Sequence, residues 1–163
     1  MTHADVQPIP LSTRVNRLFE WGHRRGDPEQ TNEEVALALG DRLRRPVEPR
    51  MVKSIRDGSL ADPPLDLRDA VADHFEVSRA YLSGSDYGYV DTQVRLCISA
   101  RDAGVRSLSM RSLTDPDPAG GALPRQAMEE LIGLLARLGG ASGATGDVTD
   151  GPGGAPAAGT HPA

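Results

Sequence analysis

Arg50, Lys53 and Ser54 recur at i, i+3 and i+4, with Arg44, Arg45 and Arg56 close by. Guanidinium and ammonium groups donate hydrogen bonds to phosphate oxygens and to the acceptor edge of guanine, and a hydroxyl reads base edges weakly. Thr31 and Asn32 add a second group at the start of an expected helix, where a hydroxyl and free backbone amides can hold a phosphate. This is non-covalent recognition chemistry. The four histidines, His3, His23, His74 and His161, lack ligand spacing with one another or with Cys97. No glycine-rich phosphate loop, nucleophile elbow or metal motif occurs. The chain reads as a binder with no catalytic residue, no metal and no cofactor, and its expected partner is double-stranded DNA.

Those donors need rigid elements beneath them. Thr31 and Glu34 form a Thr-x-x-Glu capping box, which predicts a helix from Asn32 with Val35, Ala36, Leu39 and Leu43 as its apolar stripe. Arg44 to Val47 interrupts the pattern with a proline. Pro49, whose backbone angle suits a first helical position, opens a second helix that Gly58 is placed to stop. In it Met51, Val52 and Ile55 can face a core, while Arg50, Lys53, Ser54 and Asp57 fall on another side. An apolar back with a mostly basic front is what a major-groove reader requires.

The net charge is −5, unlike a protein that coats nucleic acid by charge alone. Its distribution differs locally: six basic residues face one acid between Arg42 and Arg56. The single cysteine, Cys97, cannot form an internal disulfide and sits in an apolar helical stripe, as packed filler would. No signal peptide or membrane-length apolar run occurs, so a cytoplasmic, nucleoid-associated protein is expected.

The fold class expected is all-α. Residues 1–10 are polar and proline-punctuated, hence disordered. Residues 11–84 hold five short helices: one capped by Ser12 or Thr13 and running to Trp21, the two above, one over Asp66 to Phe75, and one capped by Ser78. Residues 85–139 form a helical segment, with Gly104 breaking a helix expected over Tyr89 to Leu113, and Pro124 opening the last one. Val94, Cys97, Ile98, Met128, Leu131, Ile132 and Leu135 give this segment more apolar surface than two helices can enclose. Burial against a second copy, making a homodimer, is the expected solution; packing back onto the first five helices is the alternative. Residues 140–163, almost wholly Gly, Ala, Pro, Thr, Ser and Asp, cannot offset their ordering entropy and should be a disordered tail.

Several runs then point to a family. Arg14-Val-Asn-Arg-Leu-Phe-Glu20, the threonine and glutamate-valine of Thr31 to Val35, and Ile55, Arg56 and Gly58 are three of them. Ala80-Tyr81, Leu96-Cys97, Arg101-Asp102 and Gly104-Val105-Arg106 complete the set. Over roughly residues 13–138 the chain resembles the mycobacterial EspR-type regulators, nucleoid-associated proteins of the Cro/repressor helix-turn-helix class. The resemblance implies a dimer made through the C-terminal helices, carrying DNA-binding heads. Arg50, Lys53 and Ser54 are not that family's reading set, which implies a different preferred sequence; the more basic loop at Arg44 to Val47 and the acidic total point to a local regulator rather than a bulk chromatin protein. Two other readings stand beside it, a protein-interaction adapter and an architectural protein that bridges DNA.

Overall fold

The computed structural model describes residues 8–85, 87–105 and 123–141. Among them are seven helices and no strand: α1 (Leu11–Trp21), α2 (Asn32–Leu43), α3 (Pro49–Arg56), α4 (Leu65–His74), α5 (Ala80–Ser83), α6 (Gly88–Asp102) and α7 (Arg125–Ala141). The expectations for residues 1–7, for 106–113 and for the tail beyond 141 lie outside the described residues. Pro8 to Pro10, expected to be disordered, lead directly into α1, and the Ile9 amide donates to the Tyr87 hydroxyl at 3.0 Å.

Helix ends follow local chemistry. The capping box at α2 is complete: the Glu34 amide donates to Thr31 Oγ1 at 3.1 Å and the Thr31 amide to Glu34 Oε2 at 2.8 Å. At α1 the cap differs from the one expected. Pro10 stands at the N-cap without a side-chain hydrogen bond, and Ser12 and Thr13 fall inside the first turn. The Pro10 carbonyl accepts the Arg14 amide at 3.1 Å, so the helix starts at Leu11, just ahead of the hydroxyls. At α5 the N-cap is Arg79 rather than Ser78. Pro49 is the first residue of α3, as its ring favours. Gly58, at φ +82°, lets the chain leave α3 in the left-handed region that costs glycine nothing. Gly104, at φ +85°, ends α6 in the same way, so the long helix expected there stops at Asp102.

One core serves all seven helices. Leu18 and Phe19 of α1 meet Val35 and Leu39 of α2, Val52 and Ile55 of α3, Leu67 and Val71 of α4, and Tyr81 of α5. Val94, Leu96, Cys97 and Ile98 of α6 and Met128 of α7 join the same cluster. This corrects the interface expected from sequence. Val94 (0 % exposed), Cys97 (1 %), Ile98 (8 %) and Met128 (0 %) are sealed inside the chain and cannot meet a second copy. The physical reason is that α6 packs on α1 and α7 together, which removes its stripe from water. Ile132 and Leu135 pack against that cluster at partial burial. Of the residues expected at the seam only Leu131 is exposed, and Leu134 and Leu138 extend it into an apolar ridge along α7. Burial pushes the Cys97 thiol up to about 11, so it is uncharged at neutral pH and acts as packing.

A buried polar latch fastens α6 to the first five helices across the expected boundary at residues 84 and 85. Both carboxylate oxygens of Asp91 accept from Arg17 Nη1 at 2.5 Å, and the Tyr81 hydroxyl donates to Oδ1 at 2.8 Å. Arg14 donates to the Tyr81 carbonyl at 2.5 Å and stacks 4.1 Å over the Tyr87 ring. Burial, with Asp91 beside it, raises the Tyr81 hydroxyl well above its ordinary value, so it remains a donor.

Candidate nucleic-acid interface

α2 and α3 pack against each other across a five-residue turn, residues 44–48. α3 has the two faces that its sequence spacing requires. Val52 and Ile55 are buried, whereas the side chains of Arg50 and Lys53 are 83 % and 72 % exposed. Ser54 lies half-buried between these sides. Arg44 and Arg45 project from the turn, both exposed. Arg44 holds φ +55°, a conformation costly for any residue with a Cβ, and its amide closes the end of α2 on the Gly40 carbonyl.

Carboxylates meet most of these cations. Arg50 pairs with Glu48, Lys53 with Asp57 at 3.6 Å, and Arg45 with Asp66 at 2.7 Å. Arg44 makes no ion pair among the described residues. Hydrogen bonds from Ser59 hold Asp57 below the usual carboxylate range, and the Arg45 hydrogen bond does the same for Asp66. Both acids therefore stay ionised at neutral pH. The local cationic excess of the sequence is thus partly neutralised in space. Exposed pairs of this kind are weakened by water, so a phosphate can compete for the same donors.

Arg56, Asn32 and Thr31 are occupied internally. Arg56 pairs with Glu29 and donates to Asn32 Oδ1 at 3.0 Å and Asn16 Oδ1 at 2.8 Å. Its guanidinium lies 3.9 Å over the Phe19 ring, while Asn16 Nδ2 donates back to the Arg56 carbonyl at 2.9 Å. The side chain thus binds the end of α3 to α1, α2 and the loop before α2. The hydroxyl and amide of Thr31 both contact the Glu34 carboxylate, which occupies the place where a phosphate was expected. The donors that the fold leaves facing outward are Arg44, Arg45, Arg50 and Lys53.

Sequence reasoning noted Glu48 and Asp57 beside these donors but not their pairing with Arg50 and Lys53, and it missed Asp66 and Glu29 as partners. Asp57, four residues after Lys53, carries a helical spacing signal for its pairing, whereas Glu48, two before Arg50 at the N-cap, carries only sequence proximity. Asp66 and Glu29 carry none, because 21 and 27 residues separate them from their partners. No three His, Cys, Asp or Glu side chains among the described residues come together as a metal site, and no described helix is long and apolar enough to cross a membrane. No family model and no curated protein matches the sequence.

Proposed function

We propose that this chain is a sequence-preferring DNA-binding transcriptional regulator of the helix-turn-helix type. On this reading residues 11–84 form the Cro/repressor-like head and residues 49–57 enter the major groove. One observation carries it: α3 has a sealed apolar back and an exposed front of Arg50 and Lys53, next to a turn bearing Arg44 and Arg45. Arg50 and Lys53 address base edges, with guanine the natural acceptor, and Arg44 and Arg45 neutralise backbone phosphates. The resemblance to EspR-type regulators agrees with this assignment.

A single head of this size has few base contacts, and coupling two heads raises their effective concentration on paired sites. The dimer seam is assigned to the outer ridge of α7, Leu131, Leu134 and Leu138, since the apolar side chains of α6 are spent inside the chain. A second reading, a protein-interaction adapter, is favoured by the carboxylates beside Arg45, Arg50 and Lys53.

A gel shift with genomic fragments over a salt series separates the two. DNA binding through phosphates falls steeply as salt rises. Arg50→Ala and Lys53→Ala should each relax sequence preference and cost about 1–3 kcal/mol per lost base contact. Footprints and affinities unchanged in both variants would remove α3 from the interface.

A further inference from the structure

We infer that the junction between the loop after α1 and the end of α6 is a binding site for a small organic anion with a flat apolar body. A cavity of about 350 Å³ opens there, walled by Trp21 and Phe75 and edged by His23 and Arg101. A second hollow of about 610 Å³ continues from it, sharing Arg24, Arg101 and Val105 with the first and adding Arg25. Volumes of this order suit a small metabolite.

The charge at the mouth selects the ligand. Arg24 and Arg25 are exposed and make no ion pair among the described residues. The Arg25 guanidinium lies against Gly104, where an added Cβ would sit 3.1 Å from its Nη1. Arg101 is fixed by donating to the carbonyls of Glu20 and His23, the latter at 3.1 Å, and it contacts one carboxylate, Asp102, at 2.9 Å. Arg24, Arg25 and Arg101 thus gather at this end, where Arg101 already meets Asp102, and Glu76 also lines the inner cavity. A phosphate or carboxylate head meets the exposed Arg24 and Arg25, whose planar forks bind such anions in bidentate fashion. The ligand's apolar body then lies between Trp21 and Phe75.

Phenyl phosphate is the probe, and Trp21, the chain's single tryptophan, is a built-in reporter on the cavity wall. The full chain should bind it with saturable heat by calorimetry and a matching change in Trp21 emission. Neutral benzyl alcohol should produce neither. Affinity should drop by about tenfold or more in an R24E/R25E variant. It should hold in R137E, a charge reversal on the exposed part of α7. Because both loop arginines are exposed, a thermal melt matching the parent chain is expected for R24E/R25E. Absence of heat, heat without a change in Trp21 emission, or equal affinity in R24E/R25E would each overturn the site. The assay contains no DNA, so its failure leaves the proposed DNA reading untouched, and failure of that reading leaves this site standing.

Discussion

Replacing Asp91 with alanine should detach α6 from the first five helices, and the cost can be built from what the carboxylate touches. The Tyr81 hydroxyl, in a residue with no exposure, would lose its acceptor. An orphaned buried donor costs about 1–3 kcal/mol. Arg17 would lose the partner of both its 2.5 Å contacts. Stripping one member from a fully buried pair costs about 3–5 kcal/mol, but that guanidinium can still reach water, so about 1–2 kcal/mol is the fitting share. The Arg17 side chain is 28 % exposed, which is the basis for that discount. Asp91→Ala should therefore lose about 3 kcal/mol, a shift of roughly 1–3 M in the urea midpoint. Asp91→Asn should lose less, because its amide oxygen still accepts from Tyr81 while the charge on Arg17 goes unbalanced. Urea unfolding followed by circular dichroism measures both, and a cycle with Arg17→Met isolates the pair. A change below about 0.5 kcal/mol in Asp91→Ala would refute the latch, since that is the scatter of an ordinary surface substitution.

Arg44→Gly should stabilise the chain by about 0.5–1 kcal/mol, because glycine relieves the left-handed strain at some cost in chain entropy. The same variant should lower the salt dependence of DNA binding by about one phosphate contact, and an unchanged slope would take Arg44 off the backbone. Burial, with Arg42 nearby, lowers the pKa of His74, so the folded chain holds it neutral. The unfolded chain then takes up a proton first as pH falls below about 6.5. Stability should decline from there down to the depressed folded pKa, and His74→Gln should flatten that part of a melting-temperature profile. Leu131→Glu combined with Leu134→Glu should give a folded monomer by light scattering with weakened DNA binding; a persistent dimer would move the seam elsewhere.

Much of the architecture is written in short-range signals. Thr31 with Glu34, Pro49 and Gly58 each act within a few residues of themselves, so α2 and α3 could be located without tertiary knowledge. The apolar back and basic front of α3 follow from spacing alone. Long-range partners were not legible. Asp66 and Glu29 reach their arginines only once the loops have closed, so the charge of the α3 surface was overstated. The stripe of Val94, Cys97 and Ile98 announces burial but not what buries it, and α1 with α7 does so rather than another molecule. Arg14 and Arg17 sit among apolar neighbours in sequence; the role of Arg17 depends on Asp91, 74 residues beyond it, and that of Arg14 on Tyr81 and Tyr87.

The staple at Arg56 bears on how recognition would proceed. Because this side chain ties the C-terminal end of α3 to Asn16, Asn32, Glu29 and Phe19 at once, the helix cannot swivel about its long axis without tearing four attachments. Its orientational freedom is surrendered during folding, so little remains to be lost on docking. On the proposed DNA-binding reading, a duplex that mismatches this fixed ridge would have to bend or be rejected, which would shift discrimination from protein adaptability to the shape of the target.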